Sequence, residues 1–291
     1  MLEKNAGQII QAIQDKTTDH LLYGRAGSIN DSTPRDHICP TSGAVGTLHP
    51  DGSFRVEAPH GLPNMGIIHF PGIRGYPHSV IREFSGEKGD TRLPAALHQV
   101  AAPWWIAGTP RTTTSMINSV VGATRAIAER GWLSNGLPLV CYGRSMGSRP
   151  AISAGLRLAR EVQAGVPVVL ILDGAFGRLS RAGAHWPLGL GARFLHPAHD
   201  VCTESLVSRV PIWPSNLYVL QLILRHDWMV PVAEQHRFGS LLEERAAGRY
   251  AALEVDCGHN SYPALRSLRF DLLKNFHVVG GVPQLQGVSF R

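Results

Sequence analysis

Long apolar runs are absent from this 291-residue sequence. No stretch reaches the ~18 apolar residues that a transmembrane helix needs, so we predict no integral membrane association. The segment Met1–Lys16 also lacks the basic start, the apolar run and the small-residue cleavage site of a secretory signal. The expectation is therefore a soluble protein located in the cytoplasm.

Cysteine motifs and basic runs are missing as well. The four cysteines form no Cys-x-x-Cys pair, so no zinc or redox motif is visible. The formal net charge is +6, but Lys and Arg are scattered and no run of five or more occurs. Because nucleic-acid binding usually needs a clustered basic patch, this charge favours an ordinary basic surface, and we predict no nucleic-acid partner.

Short apolar runs that alternate with helical patterns dominate what is present. Hydrophobic residues make up 44% of the chain and charged residues 17%, which is ordinary for a soluble globular enzyme. The candidate strands of this region are Gly66–Phe70, Val100–Ala107, Leu137–Tyr142, Val166–Leu172, Leu217–Leu224 and Ala251–Val255. Apolar strands separated by helices are typical of a parallel sheet that is covered on both faces. The predicted class is therefore α/β, with a mostly parallel central sheet and helices on both faces.

Two boundaries divide the chain. We expect residues 1–43 to form an N-terminal extension and residues 44–291 to form the α/β domain, which begins with a β-hairpin around Pro50-Asp51-Gly52. Residues 177–215 lie between two predicted strands and are rich in Gly, Pro, His and Trp. Because structureless loops of this length are uncommon in compact domains, we interpret them as a cap inserted over one end of the sheet.

One motif, Gly143-Arg144-Ser145-Met146-Gly147, predicts chemistry. It follows a predicted strand and precedes a predicted helix, which is the context of a nucleophile elbow. In that turn a strained backbone raises the serine hydroxyl above the sheet, and the glycines avoid clashes that Cβ atoms would make. Ser145 is therefore the candidate nucleophile, and the alternative is a glycine-rich turn with an incidental serine.

A serine hydroxyl needs a general base because it is a poor nucleophile at neutral pH. Of the 14 histidines, His259 directly follows the last predicted strand, after Gly258, and is the candidate base. A carboxylate should orient its imidazole. Asp227 comes directly after a strand and is the preferred acid, while Asp173 at the end of the preceding strand is the competitor. Asp256 lies close to His259 in sequence but is interpreted as structural.

Two backbone N–H groups should form an oxyanion hole. The first is that of Met146, the residue after the nucleophile. The second is expected in the loop after an earlier strand, which reads Pro71-Gly72-Ile73-Arg74. Aligning Pro71-Gly72 with the His-Gly of such loops makes Ile73 the donor. Aligning His69 instead makes Pro71 the donor, but proline has no N–H to give.

From about Ala44 to Phe276 the chain resembles the α/β-hydrolase superfamily. The likeness lies in the Pro71–Gly75 loop, the Gly143–Gly147 elbow, the Asp227–Pro231 turn and Gly258-His259. The elbow is also similar to that of deacylating and depalmitoylating thioesterases. The chain departs from the usual pattern by lacking His-Gly in the oxyanion loop and by carrying Trp104–Pro110 where many relatives have an Asp-x-x-Gly turn. Because of these departures, the resemblance does not identify the substrate.

The resemblance implies the α/β-hydrolase fold and an acyl-enzyme mechanism. Ser145 would attack an ester, thioester or amide carbonyl, His259 would transfer the proton, and water would release the acid. No metal ion or organic cofactor is implied. The same motifs would also suit an acyltransferase, a peptidase, or a ligand-binding protein on this scaffold that has no turnover.

Substrate-binding residues are predicted only from their closeness to this site. Arg74, Arg111 and Arg144 fall near it in the predicted fold and indicate an anionic group on the substrate. The apolar residues of the predicted cap either line an acyl pocket or form the cap's own core; they are Trp186, Leu188, Leu190, Phe194, Leu195 and Trp213. We expect a small-molecule or lipid substrate with an acyl group of modest length, joined as a carboxylic ester or thioester.

Overall fold

The strands of the protein coincide with its apolar runs. The structure is a computed structural model that describes residues 35–38, 45–49, 53–56, 63–72, 95–99, 112–182, 202–259 and 262–290. Its strands are β1 (Arg35–Ile38), β2 (Val45–Leu48), β3 (Phe54–Val56), β4 (Met65–Phe70), β5 (Ala95–Gln99), β6 (Leu139–Arg144), β7 (Val168–Asp173), β8 (Leu217–Leu224), β9 (Tyr250–Val255), β10 (His277–Val279) and β11 (Val282–Gln284). Every residue of β4, β6, β7 and β8 is buried, as expected for strands covered on both faces.

The first nine strands form one sheet in the order β1-β2-β3-β5-β4-β6-β7-β8-β9. The strands from β5 through β4 to β9 are parallel to one another, and β1, β2 and β3 are joined to them by antiparallel pairing. Parallel neighbours need a crossover connection, which brings the ends of these strands to one edge of the sheet. The predicted mostly parallel sheet is confirmed.

Helices cover both faces of this sheet. They are α1 (Thr112–Glu129), α2 (Ser148–Glu161), α3 (Leu179–Ala182), α4 (Thr203–Ser208), α5 (Val232–Ala246) and α6 (Tyr262–Lys274). Alternate residues of β6 enter different cores, because side chains of a strand point to opposite faces. Leu139 and Cys141 pack with residues of α1, α2 and α5, whereas Val140 and Tyr142 pack with residues of α6.

Several details differ from the sequence-based expectations. Strand β1 lies within the segment predicted as an extension and pairs with β2, so the sheet begins before residue 44. The hairpin β10–β11 near the C-terminus was not anticipated, because its strands have only three residues each. Strand β5 ends at Gln99, and the strand predicted over Val100–Ala107 lies outside the described residues.

The predicted cap is described only at its two ends. Helix α3 belongs to its first described part and α4 to its second, and residues 183–201 lie outside the described ranges. Glu204 of α4 pairs with Arg181 of α3 and with Arg237 of α5. This ion-pair cluster holds both described ends of the cap segment on α5. Among the helices described, none is both long and apolar enough to cross a membrane.

Candidate active site

The turn after β6 has the strained backbone of a nucleophile elbow. Ser145 has a φ of 50°, in the left-handed region that a residue with a side chain seldom adopts. Residues Ser145–Gly147 form one 3₁₀ turn, and α2 begins at the next residue. Such strain persists only where the surrounding structure fixes it, and it concentrates at functional sites.

The two flanking glycines are a steric requirement of this turn. A Cβ at Gly143 would lie 2.6 Å from the Cβ of Ala151 and 2.7 Å from the Cα of Ser148. A Cβ at Gly147 would overlap the carbonyl oxygen of Phe70, at the end of β4. The glycines therefore allow strand, turn and helix to approach closely, as the sequence motif predicts.

His259 lies against the carboxylate of Asp227. The Oδ2 atom of Asp227 is 2.6 Å from Nδ1 of His259, and both side chains are buried. The other carboxylate oxygen, Oδ1, accepts hydrogen bonds from the backbone N–H groups of Met229 (2.8 Å) and Val230 (2.9 Å). The turn after β8 thus fixes the carboxylate, and the carboxylate fixes the ring so that Nε2 is left for other partners.

Gly174, directly after β7, lies against the pair formed by His259 and Asp227. It has a φ of 57°, and a Cβ there would lie 3.1 Å from Nδ1 of His259 and 3.3 Å from Oδ2 of Asp227. The imidazole therefore reaches from the end of β9 over β8 to the end of β7, which is the strand next to the elbow. Sequence analysis did not single out Gly174, although a glycine directly after an apolar strand was the available signal.

Ser145 stands one strand beyond this position, and neighbouring strands are about 4.8 Å apart. In the part of the chain that the structure describes, no hydrogen bond joins the Ser145 hydroxyl to the His259 imidazole. The described link between the two segments is made by Arg144, whose Nη2 donates to the backbone carbonyl of His259 at 2.5 Å.

Asp173, the alternative acid, has a different environment. Its Oδ2 accepts hydrogen bonds from Tyr142 Oη (2.7 Å) and Arg269 Nη2 (2.7 Å), and Nε of Arg144 lies 4.0 Å away. Burial by itself raises the pKa of Asp173, but Arg269, Arg144 and the Tyr142 hydroxyl hold it below its ordinary value. It is Asp227, not Asp173, that contacts His259.

Two residues predicted to bind substrate are placed elsewhere. The guanidinium of Arg144 is buried and directed at His259 and Asp173, so it does not face a substrate. Trp213 belongs to the larger hydrophobic core, and its Nε1 donates to the carbonyl of Leu217 at 3.1 Å. Its bulk therefore supports the sheet rather than an acyl pocket.

The oxyanion region is described in part. Met146 is buried in the turn directly after Ser145. Gly72 passes beside the elbow, because a Cβ there would lie 3.3 Å from the carbonyl oxygen of Arg144 and 3.4 Å from Cβ of Ser145. The loop that should supply the second donor thus starts at the right place. The predicted donor, Ile73, lies outside the described residues, and so do these other predicted residues: Arg74, Arg111, Trp186, Leu188, Leu190, Phe194 and Leu195.

Among the residues that the structure describes, no group of three or more His, Cys, Asp or Glu side chains is arranged to hold a metal ion. The described chemistry of the site consists of a hydroxyl, an imidazole, carboxylates and guanidiniums.

Comparisons with known proteins address the fold. No protein-family model matches the chain, and no curated protein sequence is significantly similar to it. An acylaminoacyl peptidase from Pyrococcus horikoshii has a similar structure, with a TM-score of 0.50 and 11% identity over 90% of this chain. The match covers 44% of the peptidase, so this chain corresponds to less than half of its length.

Two esterases are also similar in structure. A carboxyl esterase from Bacillus coagulans has a TM-score of 0.49 and 10% identity, over 81% of this chain and 95% of the esterase. An esterase from Pyrococcus furiosus has a TM-score of 0.44 and 13% identity, over 81% of this chain and 84% of the esterase. From its strand order and its likeness to the peptidase, the chain has the α/β-hydrolase fold.

Proposed function

We propose that the protein is a serine hydrolase that cleaves a carboxylic ester or thioester, with Ser145 as nucleophile, His259 as general base and Asp227 as the acid that orients the base. One arrangement carries the proposal. A serine with a strained φ of 50° follows one parallel strand, and a buried imidazole bound to a carboxylate at 2.6 Å lies over the next strand end. Serine points to acyl transfer because its oxygen bonds to a carbonyl carbon.

The proposed reaction proceeds in two halves. Ser145 Oγ bonds to the carbonyl carbon while Nε2 of His259 takes its proton, and the oxyanion accepts hydrogen bonds from backbone N–H groups, one of them that of Met146. The alcohol or thiol leaves with the proton from His259. Water then attacks the acyl-enzyme with the same base, and the free acid departs. Asp227 stays ionised and stabilises the imidazolium in both halves.

This mechanism requires a hydrogen bond between Ser145 and His259 in the substrate complex. Such bonds are often long in the absence of substrate and shorten in the complex. The ring of His259 lies over the strand next to the elbow, so this bond would join the ends of neighbouring strands, which are about 4.8 Å apart. The N-terminus of α2 follows the elbow directly, and its partial positive charge favours the developing oxyanion.

Active-site labelling tests the proposal. A fluorophosphonate probe should label the wild-type protein and should fail to label Ser145→Ala. The kcat for p-nitrophenyl ester hydrolysis should fall by about 10⁶-fold in that variant. Ser240→Ala is the matched control, because Ser240 is an exposed serine on α5 whose hydroxyl bonds only within its own helix. Equal labelling of wild type and Ser145→Ala would contradict the proposal.

The substrate class needs a second measurement. Esters from acetate to palmitate, the matching thioesters and aminoacyl anilides should be compared by kcat/KM, with competing alcohols to detect acyl transfer. We expect an optimum at a modest acyl length among esters or thioesters. Faster cleavage of the anilides would favour a peptidase, and labelling without turnover would favour a ligand-binding protein.

A further inference from the structure

A buried charged network lies beneath the candidate site, and none of its described contacts reaches the reacting atoms. It consists of Tyr142 and Arg144 from β6, Asp173 from β7 and Arg269 from α6. Arg269 donates from Nε to the Tyr142 hydroxyl at 2.5 Å, and that hydroxyl donates to Asp173. All four side chains are almost completely buried. The mechanism proposed above uses none of them.

Burying two guanidiniums is costly unless each has a counter-charge and hydrogen-bond partners. Asp173 supplies the counter-charge to both Arg269 and Arg144. The partners of Asp173 come from β6 and α6, and it stands at the end of β7, so its carboxylate ties three elements together beside the guanidinium of Arg144. A side chain that only filled space would not need this many charges.

Arg144 also has a special position in the chain. It is the last residue of β6 and directly precedes Ser145, while its Nη2 donates to the backbone carbonyl of His259 at 2.5 Å. These two segments are 115 residues apart in sequence. One side chain therefore spans from the start of the elbow to the backbone of the candidate base.

The loop that bears His259 is restrained on both of its sides. It is preceded by β9 and followed by α6, which begins at Tyr262 and is tied to β6 and β7 through Arg269. Between these two supports, Arg144 is the residue seen to hold the His259 carbonyl. Loss of that hydrogen bond would free the backbone of the base while Asp227 still held its ring.

We propose that Arg144 is a positioning residue, which sets the distance between Ser145 and His259 by holding the carbonyl of His259 from the strand that carries the elbow. This inference rests on the proposed function. A displacement of about 1 Å in such a site lowers the rate by about 100-fold. The effect should appear in kcat, because Arg144 does not face the substrate.

Four variants test the role. Arg144→Met removes the hydrogen bond and keeps much of the volume, and Arg144→Lys retains one cationic donor. Asp173→Asn removes the counter-charge while leaving Arg144 in place. The double variant Arg144→Met/Asp173→Asn removes the charges of both partners, and Arg144→Lys keeps the cation in case Arg144→Met does not fold. Arg157→Met is the control, because Arg157 is an exposed arginine on α2 that pairs with Glu161.

We expect Arg144→Met to lower kcat by about 100-fold, with KM changed by less than about threefold. Arg144→Lys should recover about tenfold of that loss, since an ammonium can donate to the carbonyl but lacks the planar fork that spans both partners. The double variant should stay as slow as Arg144→Met. Recovery in the double variant would overturn the proposal, because Arg144 would then act only as the counter-charge of Asp173. Unchanged kcat in Arg144→Met would overturn it too.

A spectroscopic readout separates this inference from the proposed function. The Nδ1 proton that His259 shares with Asp227 should give a far-downfield proton resonance, and its shift reports where the ring is held. We expect it to move or broaden in Arg144→Met, and to persist in Asp173→Asn and Arg157→Met. If the wild-type protein takes no fluorophosphonate label but the resonance still moves or broadens in Arg144→Met, the positioning role is supported and the hydrolase is refuted. An unchanged resonance and kcat in a protein that does label would refute the positioning role alone.

Discussion

Asp173 and Asp227 follow the cores of neighbouring strands, and both carboxylates are buried, yet their partners are opposite in kind. Asp227 accepts two backbone N–H groups and faces the imidazole of His259. Asp173 faces the guanidiniums of Arg269 and Arg144 and a tyrosine hydroxyl. The comparison shows that partners, more than burial or position along the sheet, decide what a carboxylate at this edge does.

The two carboxylates differ in whether the groups facing them always carry a positive charge. Arginine stays protonated at any ordinary pH, so the charge of Asp173 is always balanced and serves to hold neighbouring elements together. Among the described contacts of Asp227, only neutral N–H groups and an imidazole occur. Its charge is therefore balanced by a full charge only when His259 takes up a proton, which is the step a general base must perform.

The largest expected effect comes from neutralising Asp227. Asp227→Asn should lower kcat by about 10⁴-fold, because the amide no longer selects the productive imidazole tautomer. The midpoint of thermal unfolding should change little, since the amide oxygen can still accept the two backbone N–H groups. Steady-state kinetics with a p-nitrophenyl ester measure the first quantity and circular dichroism the second. A loss of less than tenfold would mean that another group orients His259.

Neutralising Asp173 should have the opposite effect: stability should fall while kcat changes little. Asp173→Asn leaves Arg269 without a charged partner in the interior, which should lower the free energy of unfolding by about 3–5 kcal/mol. The kcat should stay within about fivefold of wild type, since the amide makes no contact with the reacting atoms and Arg144 still reaches His259. Urea denaturation measures the stability. Asp271→Asn, an exposed site on the same helix as Arg269, is the control, and equal stability of both variants would contradict the proposed contrast.

The smallest expected effect is on how the stability of the protein changes at acidic pH. Burial raises the pKa of Asp173, but its cationic partners outweigh burial and hold the folded-state pKa below the ordinary value of 3.8. The unfolded chain therefore binds this proton more readily, and the stability contributed by Asp173 is present above about pH 4 and is lost as the pH falls through the folded-state pKa. The slope is at most about 1.4 kcal/mol per pH unit for one proton. Urea midpoints between pH 6 and pH 3 should fall less steeply in Asp173→Asn than in wild type, and parallel curves would contradict this.

Local pattern was enough to predict the parallel sheet and to select three candidate side chains at one of its edges. Fully apolar strands between helices indicate a sheet covered on both faces, and strands of that kind must end at a common edge. Ser145 directly follows β6, and Asp227 and His259 lie three and four residues after β8 and β9, so the topology brings all three to one edge of the sheet. The preference for Asp227 over Asp173 came from the turn after its strand, and the structure shows that turn binding the carboxylate through Met229 and Val230.

Two residues that were assigned by closeness alone point away from the predicted position. Arg144 adjoins Ser145, but a strand turns successive side chains to opposite faces, and this one points into the interior. Trp213 was assigned to the cap because it lies within residues 177–215, whereas its ring packs on the sheet. Sequence distance gave no information about these directions.

Which residues follow strands, and where the backbone must be strained, can be predicted from the sequence, because those features depend on neighbours only a few positions away. Which charges meet depends instead on how distant segments pack. Arg269 lies 96 residues from Asp173 and 127 from Tyr142, and the His259 carbonyl lies 115 residues from Arg144. No local pattern encodes such pairs, since each is fixed by how helices and strands pack, and that packing places Asp227 against an imidazole and Asp173 against two guanidiniums.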